Sequence, residues 1–250
     1  MIGHESPEPH LTLAEFDEYA DGYQGGMEDP IKRFFGASAE AFIDVKVQWL
    51  LRDLIRLPLS LVHSPKEIRL LDFGCGIGSF LQSLNRNGFS GQAEGCDLSE
   101  KMIQEARKRW KGSQIPSLHV STIVTTPFEM GSFDLVTACC VFHHIPIEKR
   151  QTVFSELARI LKPGGRLVVF EHNPLNLLTQ LIVRRAPIDR HAILLYAGDT
   201  RSGMKAAGLN RIRTNYFLFF PLWFRWLQDI ERRLCGIPFG GQYVVVGEKR

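Results

Sequence analysis

Ile68-Arg69-Leu70-Leu71-Asp72-Phe73-Gly74-Cys75-Gly76-Ile77-Gly78 is the stretch on which the fold turns. A short apolar run that ends in a glycine cluster reads as a buried strand feeding a tight turn. Ser79 to Asn87 then carries a helical pattern, with Gly88 near its end. Glycine at 74, 76 and 78 lets the backbone approach a ligand closely and take positive φ without a Cβ clash. A strand, a glycine turn and a helix in that order form the place where an open α/β sheet binds its ligand.

Outward from this unit the alternation continues. Gln92 to Cys96 reads as a second strand stopping at Asp97, and Ser99 to Trp110 as a helix. Leu118 to Val124 and Phe133 to Val141 read as strands, and Thr152 to Leu161 as a helix. Lys162-Pro163-Gly164-Gly165 reads as a turn before a strand from Arg166 to Glu171. Arg211 to Phe220 and Gln242 to Gly247 add two late strands, separated by the apolar and basic segment from Pro221 to Arg233. Short connections of this kind give right-handed crossovers and a mostly parallel sheet covered by helices on both faces. Before the first strand, Phe34, Phe35, Phe42, Val45, Trp49, Leu50 and Ile55 recur at helical spacing, and Pro58 closes that region. The expected organisation is one domain of 1–250, with a helical cap over 1–65, a core over 66–172, and an acceptor-side segment with the last strands over 173–250.

Spacing separates the candidate ligands. A dinucleotide fingerprint G-x-G-x-x-G needs its third glycine at position 79, which is Ser79; the third glycine is Gly78. Asp-x-Gly-x-Gly-x-Gly from Asp72 resembles the first motif of the class I S-adenosylmethionine-dependent methyltransferases. The resemblance continues through Phe133-Asp134-Leu135-Val136, Cys139-Cys140-Val141-Phe142-His143-His144 and Leu161-Lys162-Pro163-Gly164-Gly165-Arg166-Leu167. It runs in order from about Leu70 to Glu171. It implies a Rossmann-like α/β fold with a seven-stranded sheet, S-adenosyl-L-methionine as cofactor, and a cofactor site at Asp72, Gly74, Cys75, Gly76, Gly78, Asp97, Leu98 and Cys139. Asp72 would serve the methionyl part, and Leu98 would pack on the adenine face. Asp97, 19 positions after Gly78, can accept from both ribose hydroxyls; a helix cap is its structural alternative. The family often carries Asp after the third strand to read adenine, whereas this chain places Thr122 and Ile123 there. Tyr19 and Tyr23 lie in a segment that the family uses as a lid, where an aromatic ring would face the sulfonium.

Methyl transfer from a sulfonium is an in-line displacement, served mainly by positioning and exclusion of water. A base is needed when the acceptor must lose a proton first, and His143 or His144 stands where the acceptor should approach. Glu171 and His172 end the fifth strand, with capping of Asn173 or the next turn as an alternative role. Asp189 and His191 are further polar candidates in a later segment. No metal is expected, because adjacent histidines in a loop do not both ligate easily and no carboxylate cluster accompanies them in the sequence.

Composition bounds the partners. Thirty basic and 27 acidic side chains leave a net charge of +3, too even to imply nucleic acid. Five cysteines with no C-x-x-C pair and no signal-like N-terminus suit a cytoplasmic protein with reduced thiols. No run of about 18 apolar residues would span a membrane. Trp223, Phe224, Trp226 and Leu227 beside Arg225, Arg232 and Arg233 suggest a peripheral membrane contact over 221–233, a dimer seam or an apolar acceptor pocket. The expected activity is transfer of a methyl group to a small-molecule or lipid-like acceptor, by a monomer or homodimer. The alternatives are an inactive methyltransferase-fold binding protein and a NAD-type oxidoreductase or epimerase; the missing Tyr-x-x-x-Lys pair counts against the latter.

Overall fold

The computed structural model describes residues 17, 39–54, 64–112, 115–189, 191–222 and 227–250. Tyr19, Tyr23 and most of the expected cap lie outside the described residues, as do Trp223, Phe224, Arg225 and Trp226. Within them, helix α1 (Ala39–Leu54) precedes the alternation. Strand β1 (Arg69–Phe73), helix α2 (Ser79–Arg86), β2 (Gln92–Asp97), α3 (Glu100–Arg109) and β3 (Ser117–Val120) follow. The chain continues through β4 (Phe133–Cys139), α4 (Ile147–Ile160) and β5 (Leu161–His172). It ends with α5 (Leu177–Arg185), α6 (Ala197–Ala206), β6 (Leu209–Phe217), α7 (Gln228–Leu234) and β7 (Gln242–Lys249).

The seven strands form one sheet in the order β3-β2-β1-β4-β5-β7-β6. Strand β7 runs antiparallel to both β5 and β6, and the remaining pairs are parallel. Neighbouring residues in the strands are divided between two cores. Leu71, Phe73, Leu167, Val169, Tyr243 and Val245 pack with α4 and α6 on one face. Leu70, Val168, Phe170, Val244 and Val246 pack with α1, α2 and α3 on the other. Strands buried on both faces need no polar alternation, which explains their continuous apolar runs.

Several boundaries differ from the expectation. The third strand ends at Val120, because Thr122 folds into a turn in which its Oγ1 accepts from Thr125 N at 2.9 Å. The fourth ends at Cys139, since Cys140 turns left-handed at φ 58°. Helix α4 begins a turn earlier than its apolar spacing indicates, at Ile147 behind Pro146, and stops at Ile160. Lys162-Pro163-Gly164-Gly165 is a bulge within a longer β5, and the β4–β5 register shifts there between Phe133 and Leu135. Helices α5 and α6, over 173–250, have no counterpart in the sequence reading.

Tyr243 secures the late segment to the sheet. Its fully buried hydroxyl donates to Leu195 O at 3.0 Å and lies 2.9 Å from Thr200 Oγ1. Tyr243→Phe keeps the ring but strands two buried polar groups. Urea denaturation should show a loss of about 1–3 kcal/mol; a stability equal to wild type would mean that water or relaxation satisfies Leu195 O.

Candidate functional site

Parallel register brings the carboxyl ends of β1, β2, β4 and β5 to one edge of the sheet. Asp72 and Phe73, Asp97, Cys139, and Glu171 with His172 all stand there. The glycine turn crosses this edge between β1 and α2. Gly74 has φ 69°, and a Cβ on it would lie 2.6 Å from the Val141 side chain; Gly76 has φ 51° and open space where a Cβ would point. Gly78, left-handed at φ 76°, is the N-cap of α2.

The turn's N–H groups are already in use. Gly74 N and Cys75 N both donate to Cys96 O, at 2.8 and 3.0 Å. Gly76 N donates to Asp97 Oδ2 at 2.8 Å, and Ser99 N to Asp97 Oδ1 at 2.9 Å. A pyrophosphate cradle needs such N–H groups facing the ligand. Here they hold the turn against β2, and the space over Gly76 lies beside a carboxylate. The cap of α3 is Ser99, whose Oγ accepts from Met102 N at 3.1 Å, so the capping alternative for Asp97 is replaced by Ser99. Asp17, the described residue of the proposed lid segment, accepts from Ser99 Oγ at 2.5 Å.

The two carboxylates differ in support. Asp97 is pushed up by burial, against which the N–H groups of Ser99, Gly76 and Leu98 act. Asp72 is 1% exposed and accepts from Thr137 Oγ1 at 2.9 Å. Burial raises its pKa to about 7, with the Thr137 hydrogen bond and Lys46 opposing and Asp97 adding to the rise. Leu98 and Ile123 are half-buried, Cys75 is buried, and Cys139 is half-buried against the face that carries α1. Thr122 spends its hydroxyl on its own turn, in contacts with Thr125.

At the exit of β4 the chain forms a single 3-10 turn, Phe142–His144. Glu171, 0% exposed, holds it: Phe142 N donates to Oε1 at 2.7 Å, and His143 Nδ1 lies 2.6 Å from Oε2. Glu171 therefore does not cap Asn173, which instead donates to Pro238 O and Gly240 O. Asp189 Oδ1 approaches His143 Nε2 at 3.4 Å and His144 Nε2 at 3.5 Å. Both premises for expecting no metal therefore fail, since the two imidazoles converge and carboxylates accompany them. Burial lowers the His143 pKa, but Glu171 and Asp189 overcome it and raise the pKa well above its usual value. Burial and the neighbouring His143 push His144 down to about 3.

Sequence reasoning missed Lys46 and Cys140. Lys46 Nζ donates to Cys140 Sγ at 3.2 Å from the buried side of α1. Burial would raise that thiol, yet Lys46 and His172 draw its pKa down to about 7. No local signal marks the pair, which is 94 positions apart.

The raised pKa of Asp72 has a measurable consequence. The folded state keeps a proton that the unfolded chain releases near pH 3.8, so stability falls as pH rises from about 4 to 7 and levels off above. The roughly three-unit shift corresponds to on the order of 4 kcal/mol. Asp72→Asn lacks this loss, and its stability relative to wild type should grow across that window in melting curves taken at several pH values. A constant difference from pH 4 to 8 would place the Asp72 pKa near its ordinary value.

Comparison with known proteins follows the same geometry. Residues 71–169 match the family described as a methyltransferase domain. A demethylmenaquinone methyltransferase of Lactococcus lactis is 36% identical over 107 residues, 42% of this chain and 42% of that protein. The chain spans about half or less of the curated relatives it matches. A crystal structure of an S-adenosylmethionine-dependent methyltransferase from Thermotoga maritima superposes with TM-score 0.64 at 19% identity, covering 94% of this chain and 98% of that one. Haemonchus contortus phosphoethanolamine N-methyltransferase 2, in complex with S-adenosylhomocysteine, superposes with TM-score 0.62 at 18% identity, over 96% and 60% of the two chains. Residues 71–169 thus resemble a methyltransferase domain, and the chain shares its fold with a solved S-adenosylmethionine-dependent methyltransferase.

Proposed function

We propose that the chain transfers a methyl group from S-adenosylmethionine to a small-molecule, lipid-like acceptor. The carrying observation is the bond from Gly76 N to the Asp97 carboxylate, which joins an open glycine turn to an acceptor of hydroxyl hydrogen bonds. The residues fit the cofactor. Asp97 keeps lone pairs for ribose hydroxyls, and the missing Cβ at Gly76 leaves room for close approach. Asp72 offers a carboxylate to an ammonium, whose charge would favour its ionised form. Leu98 and Ile123 can border the adenine, with Cys75, Gly74, Gly78 and Cys139 forming the floor. When bound, the cofactor supplies an electrophilic methyl on a sulfonium. The chain's part is to align the acceptor in line with it and keep water out. His143 and His144 form the imidazole pair that we assign to the acceptor side. A NAD-type reading is disfavoured, because the turn's N–H groups serve Cys96 O and Asp97 rather than a phosphate.

The demethylmenaquinone methyltransferase relative suggests a quinone acceptor. A lipid-like acceptor suits the surface formed by α5 and the loop after α7. Leu177 is 80% exposed and Phe239 63%, and Asn176 Nδ2 donates to Phe239 O at 2.9 Å, joining the two segments. Arg184, Arg185, Arg232 and Arg233 are exposed nearby in sequence. Apolar tips among basic side chains match the boundary between acyl chains and anionic headgroups. Among the described residues no helix is long and apolar enough to cross a membrane, and the contact proposed is a peripheral one.

Calorimetry tests the cofactor. S-adenosylhomocysteine should bind and NAD should not, and Asp97→Ala should weaken binding by about 1.5–3 kcal/mol with the fold intact. Micromolar NAD affinity with none for the homocysteine compound would end the methyltransferase reading. Turnover of S-adenosylmethionine with a quinol acceptor separates an enzyme from a binding-only fold.

The surface is tested apart from this. Wild type should sediment with phosphatidylglycerol vesicles, whereas Leu177→Ser/Phe239→Ser should stay folded and remain in the supernatant. Equal sedimentation of both, or of neither, refutes the contact.

A further inference from the structure

We propose that His143, His144 and Asp189 form a binding site for a divalent transition-metal cation of the zinc class, with Glu171 as the outer carboxylate that orients His143. One ring nitrogen of each imidazole and a carboxylate oxygen of Asp189 lie within 4.8 Å of one another. Two edges of this triangle are 3.4 and 3.5 Å, from Asp189 Oδ1 to His143 Nε2 and to His144 Nε2. Ligands at the usual zinc distances of 2.0–2.1 Å stand about 3.3–3.4 Å apart in a tetrahedron, against about 2.9 Å for adjacent ligands in an octahedron. The spacing therefore favours the four-coordinate ion.

A second observation is independent of that spacing. His143 Nε2 is buried and has no hydrogen-bond partner among the described residues, while the residue is only 1% exposed. Its other nitrogen, Nδ1, lies 2.6 Å from Glu171 Oε2. With Nδ1 engaged by Glu171, Nε2 is the ring nitrogen left on the Asp189 side to meet a cation. A carboxylate behind the far nitrogen of a ligating histidine is the usual outer shell of a bound metal. Without a cation the two carboxylates favour a proton on His143, and an incoming cation displaces it, since only the neutral imidazole ligates.

The segments that carry the three ligands are held together without any ion. Ile193 N donates to His143 O at 2.9 Å, and Ala192 N to Asp189 O at 3.0 Å. Arg150 bridges the same loops, from Nε to Ile145 O at 2.9 Å and from its terminal nitrogen to Ile193 O at 2.7 Å. Two nitrogens and one carboxylate oxygen leave a fourth position open, the pattern of reactive rather than purely structural zinc. Resting on the methyl-transfer reading, that position takes an acceptor oxygen, because the turn abuts the glycine loop through Val141 and Gly74.

The test reads metal, not turnover. Chelator-treated protein is titrated with Zn2+ against a chromophoric competitor, and with Co2+ followed by visible absorption. One equivalent should bind with a four-coordinate cobalt spectrum. Asp189→Asn and His144→Gln should each weaken binding at least tenfold, and Glu171→Gln about 10–100-fold, with circular dichroism confirming folded variants. Absence of stoichiometric binding overturns the site. So does binding unchanged in both Asp189→Asn and His144→Gln. S-adenosylhomocysteine affinity, measured on the same wild-type sample, reports separately on the cofactor reading.

Discussion

A carboxylate with no access to water must find all its partners inside the protein, and Glu171 organises the turn after β4 under that constraint. One oxygen takes the N–H of Phe142 and the other meets His143 Nδ1, so the end of β5 dictates the path on leaving β4. The 3-10 turn set in this way offers His143 O to Ile193 N, which draws in the segment containing Asp189. Three stretches far apart in the chain are thereby tied to one buried charge. Removing that charge would leave an imidazole and a backbone N–H without partners, so the cost would be shared by the whole cluster.

The glycine turn is held in a different way. The glycine turn satisfies its own N–H groups on Cys96 O and Asp97, and it spends none on an anion. Asp97 is held by backbone donors, whereas Asp72 has one hydroxyl and a dry setting. Two carboxylates on adjacent strands thus meet unequal conditions, one built to accept hydrogen bonds and one sensitive to a nearby cation. Lys46 from α1 adds a buried positive group on the same edge, close to the left-handed Cys140. Strain of this kind costs on the order of 1–3 kcal/mol and persists only where surrounding contacts fix it.

The β1–α2 unit, the alternation through β5 and the two late strands were legible because burial on both sheet faces leaves a continuous apolar signature. Boundaries were less so. The end of β3 depended on a threonine turn, and the start of α4 lay behind a proline with mixed residues. Helix α6 escaped because polar residues and glycine interrupt its apolar spacing, and α5 because it is only nine residues long. Asp72, Asp97 and the glycines stand in one local pattern. The Lys46–Cys140 contact and the convergence of Glu171 and Asp189 on His143 have no such pattern.

The sequence by itself determined the sheet, the glycine turn and the acidic residues that frame it, since each arises from a pattern within a few consecutive residues. Tertiary structure alone decided which imidazoles, carboxylates and thiol share one edge. His143 meets Glu171 from 28 positions away and Asp189 from 46, and Lys46 reaches Cys140 across 94. Contacts at such separation are created by strand register and crossover, which bring the ends of parallel strands together whatever lies between them. Periodicity carries no trace of them, because each partner occupies a position that its own element would accept for many other residues.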